Sequence, residues 1–134
     1  HGNLRKAIPK TWADLISIIP DFLYAAIIDY VDGEDGLTQW EAQGPEHPAK
    51  KNAAMLREVY EWAKTGRAAE YERISNMHPP FAPGTDILEW LNEDNPDRDA
   101  AYKRVWEAEA AMEEKDSRYL QWVVSKDVLG SLWT

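Results

Sequence analysis

Glu58 and Glu61 stand three residues apart, Glu89 follows twenty-eight residues after Glu61, and Asn92 repeats the three-residue step. On a helix, residues three apart share a face, so Glu58 and Glu61 can point two carboxylates at one ligand. Carboxylates are the hard oxygen donors that Mg²⁺ takes, the rest of its octahedron being filled by water. The same pairing is common on any solvated helix face, which is the default reading of these three acids. A second oxygen-rich stretch, DYVDGEDGLTQWE (residues 29–41), packs four acids into seven residues. Its spacing approaches that of a twelve-residue calcium loop with Glu41 last and Asp32, Glu34 and Thr38 at intermediate ligand positions. Tyr30 then falls where the first carboxylate belongs and Asp35 where the turn requires glycine. The expectation is a helix end, a glycine turn and a new helix opened by Thr38 and Glu41 as a capping box, with no resident metal.

Other chemistries find no support in the spacing. His1, His47 and His78 fall in a terminus and two proline-rich loops, with no pair on a helix face. No GxSxG, GxGxxG or GxxxxGK[ST] occurs. With no cysteine, disulfides and thiolate zinc sites are excluded, and a reducing cytoplasmic compartment is expected. No basic, apolar and small-residue series of the secretory kind opens the sequence.

Charge is the more informative signal. The chain carries 24 acids against 15 bases, a net charge of −9, unevenly spread. Residues 86–99, DILEWLNEDNPDRD, hold six acids and one arginine. Such a surface repels nucleic acid and anionic lipid and attracts a basic protein surface. The expected contact set is Glu93, Asp94, Asp97 and Asp99 with Glu109 and Glu113, anchored by the aromatics Trp90, Tyr102 and Trp106. Glu109, Glu113 and Asp116 are expected on one flank of the last helix with Tyr102 and Trp106. Solubility is the plainer use of these acids in a chain that is 44% apolar.

The elements that must position these residues read as helices throughout. Seven Trp and six Tyr within 134 residues argue for one folded domain. Thr11 opens a first helix with Trp12, Leu15, Ile16 and Ile19 on one stripe, and Pro20 is expected to end it. A second helix from Pro20 to Val31 would close a core hairpin, since Pro20, Asp21 and Asp29 interrupt the apolar run that a lipid span needs. A third helix is expected over 49–64, turning Met55, Leu56, Val59 and Ala63 inward, with Thr65-Gly66 as its cap and a short fourth helix at RAAEYERI. HPPFAPG (78–84) reads as a stiff loop, 86–93 as a fifth helix, and 97–129 as a last helix with a break near Asp116-Ser117. Its core stripe is Ala101, Val105, Ala108, Met112 and Tyr119. No alternating β-branched run appears, so an all-α bundle of five to seven helices is the expected fold class.

Two resemblances attach to these residues. Glu58, Glu61, Glu89 and Asn92 resemble the ExxE…ExxD pattern of all-α nucleotide pyrophosphohydrolases of the MazG type, in which four carboxylates from two helices hold magnesium against a triphosphate. The likeness spans about a quarter of the chain; Asn92 replaces the last acid and the proline loop divides the pairs. PKTW near the start, EVYEWAKTGR in the middle and a terminal LWT are similar to small accessory proteins of tailed bacteriophages. That likeness carries no activity and implies a setting, an infected bacterial cytoplasm, where such proteins bind host machinery. The expected function is a non-enzymatic acidic interaction protein, a host-takeover or counter-defence factor meeting a basic or nucleic-acid-binding protein. A magnesium-dependent hydrolase and a homo-oligomer held by exposed aromatics are the alternatives.

Overall fold

The computed structural model describes residues 12–80 and 84–132, with side chains from Ile19 onward. The helix start at Thr11, the side chains of Trp12, Leu15 and Ile16, and Phe81 to Pro83 of the proline loop lie outside the described residues. Helix α1 is Trp12–Glu34, α2 Gly36–Glu41, α3 Pro48–Glu61, α4 Arg67–Ser75, α5 Ile87–Asn92, α6 Pro96–Val123 and α7 Lys126–Leu132. A π-helical turn, Trp62–Gly66, joins α3 to α4, so the two read as one long rod. No strand is present among the described residues, and the all-α bundle stands. Nor is any described helix long and apolar enough to cross a membrane.

Local chemistry sets most boundaries. His47 caps α3, its Nδ1 accepting from the Ala49 amide at 3.1 Å, with Pro48 in the first turn. Asp86 caps α5 by accepting from the Leu88 amide at 3.0 Å, and Asn95 caps α6 by accepting from the Arg98 amide at 3.0 Å. Between α1 and α2 the backbone reverses at Asp35, in the left-handed region with φ 54°, where short polar side chains are tolerated best after glycine. Gly36 follows because a Cβ there would stand 2.1 Å from the Tyr30 ring. Tyr30 occupies that space to accept a hydrogen bond from Trp40 Nε1 at 2.8 Å, and Trp40 in turn packs on Trp122.

Four expected boundaries differ. Pro20 lies inside α1 and does not end it, so residues 15–31 form one continuous helix and no hairpin. Proline fixes φ near a helical value and removes a single donor; the cost is met by the burial of Tyr24, Ala26, Ile27 and Tyr30 further along the same helix. The capping box of Thr38 and Glu41 is absent because α2 starts earlier, at Gly36. Thr65-Gly66 does not cap α3, since the π turn carries the chain on into α4. At Asp116-Ser117 α6 is unbroken, and the helix ends at Val123.

The α3–α4 rod is the centre of the bundle: α2 and α7 pack on α3, α1 packs on α3 and on the π turn, and α6 packs on α4 and on α1. The core is Tyr24, Ile27, Leu56, Val59, Trp62, Val105, Met112, Tyr119, Val123 and Val128, joined by Tyr30, Trp40 and smaller residues. Val105, Met112 and Tyr119 are buried as expected, with Ala108 packed against them.

One charged group sits among these aromatics. The Asp116 carboxylate on α6 accepts from the Tyr24 hydroxyl of α1 at 2.6 Å, from Trp62 Nε1 at 2.8 Å and from Arg67 Nε at 3.0 Å. Arg67 also pairs with Asp21 at 2.9 Å. The π turn makes this convergence possible. Trp62 and Arg67 are five residues apart, which on an α-helix puts them about 140° from one another. In a π turn the amide of residue i+5 bonds the carbonyl of residue i, here Arg67 to Trp62, and both side chains reach one face. Asp116, expected as one more acid on the flank of Glu109 and Glu113, instead turns its carboxylate to these three donors.

Asp116→Ala is expected to cost about 3 kcal/mol, because the largely buried Arg67 is left with only the exposed Asp21 as counter-charge; Asp116→Asn, which keeps an acceptor for Trp62, is expected to cost less. Urea unfolding of the three proteins measures both. Burial, and then the hydrogen bond to Asp116, hold the Tyr24 phenol well above its ordinary pKa. The folded state therefore binds that proton more tightly than the unfolded chain. The resulting stability is complete below about pH 10 and is lost as pH rises above it. Spectrophotometric titration should show a phenolate step that coincides with unfolding, and Tyr24→Phe should remove one phenol from that step.

Candidate docking surface

Helix α5 is amphipathic and leaves most of its apolar side chains exposed. At about 100° per residue, Ile87, Leu91 and Leu88 lie about 60°, 100° and 160° round the axis from Trp90, on the same side, while Glu89 and Asn92 lie on the other. An apolar arc of this width ordinarily faces a core. Here only its edge does: α5 has no buried residue. Leu88 is 73% exposed, Leu91 57% and Ile87 56%, whereas Trp90 is partly covered.

Trp90 meets Tyr102 of α6 edge-on, ring centroids 5.9 Å apart. Arg98, from the first turn of α6, stacks on Trp90 with its guanidinium 4.8 Å from the ring centroid. It also donates to the carbonyls of Trp90 and Glu93, the latter at 2.8 Å, holding the open C-terminal end of α5. Tyr102 continues the aromatic row to Trp106, 6.3 Å away and 65% exposed, and to His78 on its other side.

The expected contact residues divide between four settings. Trp90, Tyr102 and Trp106 come together as a row, with Glu109 beside it, 4.0 Å from His78 Nε2. Glu93 and Asp94 are exposed in the turn after α5. Asp97 and Asp99 occupy the first turn of α6, where carboxylates favour the positive end of the helix dipole; Asp99 is also 3.1 Å from Arg98. These two acids have a local structural use. Glu113 lies apart, on the rim of a groove of about 560 Å³ lined by Ile19, Leu23, Tyr71, Leu120 and Val124, with Arg67 and Asp116 at one side. Spacing alone did not disclose Ile87, Leu88, Leu91, Arg98 or His78 as parts of the surface. The signal available was the apolar arc in ILEWL and the single arginine amid six acids.

Two of the remaining carboxylates, Asp32 and Glu41, have protein partners. Burial, and then the nearby Glu58 carboxylate, hold the Tyr119 phenol above its ordinary pKa. Glu61 is exposed on α3, and Glu89 is exposed on α5, which is anchored on α6 through Trp90 and Arg98. In the acidic stretch after Asp29, Asp32 accepts from the Tyr60 hydroxyl at 2.6 Å and pairs with Lys64. Lys64, and then Tyr60, hold its carboxyl below the ordinary range. Glu41 pairs with Arg57 at 2.6 Å. Among the described residues no three His, Asp or Glu side chains are grouped so as to hold a metal ion.

Comparison of the chain with protein-family models, with curated proteins and with solved structures returns no match.

With Asp32 and Glu41 committed to cationic partners, millimolar Ca²⁺ or Mg²⁺ is expected to leave the unfolding temperature within about a degree, since only a ligand that binds the folded state raises it. Differential scanning calorimetry with and without chelator measures the shift.

Proposed function

We propose that this is a non-enzymatic interaction protein that docks through its acidic, aromatic end on a basic surface of another protein. The observation that carries the reading is the exposure of Ile87, Leu88, Leu91 and Trp106 beside Glu89, Glu93 and Asp94. Apolar anchors within a charged rim are the composition of an interface hot spot. The rim's sign sets the partner's: carboxylates steer toward Lys and Arg, which are also the groups that nucleic-acid-binding proteins present to phosphate. In the setting that the phage resemblance implies, the target is a host protein whose basic surface serves nucleic acid, and occupancy by this chain blocks it.

The carboxylates to test are Glu93 and Asp94, because Asp97 and Asp99 also support the start of α6. Proteins retained from a bacterial lysate by the wild-type chain at low salt should be lost with a Glu93→Lys, Asp94→Lys variant that remains folded. For a captured protein, the association rate with the wild-type chain should fall as salt rises, since steering is screened beyond about 8 Å at physiological ionic strength. Equal retention by the two chains, or an association rate indifferent to salt, overturns the reading.

A further inference from the structure

Six residues do not make a stable helix in water, because nucleation outweighs the few hydrogen bonds gained. Yet α5 is held in that form by three separate devices. Asp86 caps its first amides at 3.0 Å and 3.4 Å. Arg98 holds its last carbonyls. Trp90 fixes its rotation against Tyr102. What these devices present is an apolar arc turned mostly to solvent. A helix kept only for its own stability would turn that arc inward; one kept for presentation is pre-organised for a partner and saves it the ordering cost.

We infer, building on the proposed docking function, that α5 is a preformed half of a helix pair and that its occupant is an amphipathic, Lys/Arg-rich helix of a protein partner. The apolar side of that helix would cover Ile87, Leu88 and Leu91, with Trp106 at one end, while its flanking cations meet Glu89, Glu93 and Asp94. Helix-on-helix recognition reads anchors three and four residues apart, and Leu91 stands three residues from Leu88 and four from Ile87 along α5. A second copy fits less well. It would bring the same carboxylates against themselves, a like-charge juxtaposition that opposes association. A basic helix gains from the rim that a second copy would have to overcome.

The probe is a synthetic helix of about four turns with Leu at i, i+3 and i+4 and Lys elsewhere, alongside a control in which Ser replaces every Leu and the charge is unchanged. Binding is read from Trp fluorescence and from amide chemical shifts of α5. The Leu/Lys peptide should bind at least tenfold more tightly than the Ser/Lys control, with shifts centred on residues 87–91. Leu88→Ser with Leu91→Ser, both exposed and charge-neutral changes, should remove that advantage while far-UV circular dichroism stays unchanged. Glu93→Lys with Asp94→Lys should weaken both peptides. Equal binding of the two peptides to the wild-type chain overturns the helix-pair inference and leaves the basic-surface reading in place. If neither peptide binds, both fall. A dimer in sedimentation equilibrium that Leu88→Ser with Leu91→Ser abolishes assigns α5 to a second copy and overturns the inference in favour of self-association.

Discussion

Asp116 carries a negative charge in among Tyr24, Trp62 and Tyr119, and everything around it is arranged to keep that charge satisfied. Its three donors come from α1, from the π turn and from the start of α4, so one carboxylate on α6 fixes the position of every long helix relative to the others. Buried side-chain nitrogen or oxygen atoms without a partner are absent among the described residues. An ion pair of this kind contributes little net stability compared with an apolar substitute, since the desolvation of Arg67 and Asp116 offsets most of their attraction. What it supplies is direction. Hydrophobic contacts among Leu56, Val59, Val105 and Val123 would tolerate small rotations of the helices, whereas a carboxylate with three donors at 2.6 to 3.0 Å tolerates few.

The π turn follows from that requirement. A regular helix through residues 62–66 would send Arg67 away from Trp62, and one of the two donors would be lost from Asp116. The turn leaves helical hydrogen bonds less favourable locally, a cost that isolated sequence propensity would not choose. Gly66 eases it: a Cβ there would come within 3.1 Å of the Trp62 ring, so the glycine lets the indole lie close along its own helix. Lys115, one residue before Asp116, covers the Trp62 ring with its ammonium 4.3 Å from the centroid, which closes the polar cluster from the solvent side.

Helices were legible in the sequence wherever apolar periodicity was sustained and a capping residue preceded it. The stripe Val105, Met112, Tyr119 and the start at Pro96 are local facts, and so is the short helix after Asp86. What periodicity could not show is where tertiary contact overrides a local signal. Pro20 reads as a stop because its own turn loses a bond; the buried residues that carry α1 through it lie one to three turns later. Thr65-Gly66 reads as a cap because glycine ends many helices, and only a carboxylate fifty residues further on explains why the chain continues. Asp116 itself looked like one more acid on an acidic helix. Its partners Tyr24, Trp62 and Arg67 are 92, 54 and 49 residues distant, and no spacing rule joins them. The candidate surface was legible in part: the concentration of acids is visible in DILEWLNEDNPDRD, as is Trp90, with Tyr102 and Trp106 following at helical spacing, but the orientation of Leu88 and Leu91 away from the body is not.

The contrast between Arg67 and Arg98 shows how the same side-chain chemistry serves two ends of the molecule. Arg67 lies between Asp116 and Asp21 with its guanidinium 5.3 Å from the Tyr24 and Tyr71 ring centroids, and it locks elements whose apolar faces are already buried. Arg98 makes a different set of contacts, one aromatic face, one carboxylate and two backbone carbonyls, around an element with no buried residue. The first arrangement is what a core needs. The second fixes α5 in place without covering its apolar arc, because a guanidinium can hold a helix by its terminal carbonyls and leave the side chains of Ile87, Leu88 and Leu91 free. A hydrophobic anchor would have achieved the same fixation only by turning that arc inward. The choice of a charged latch within a segment of six acids therefore keeps the helix, its apolar residues and the surrounding carboxylates together on one accessible surface.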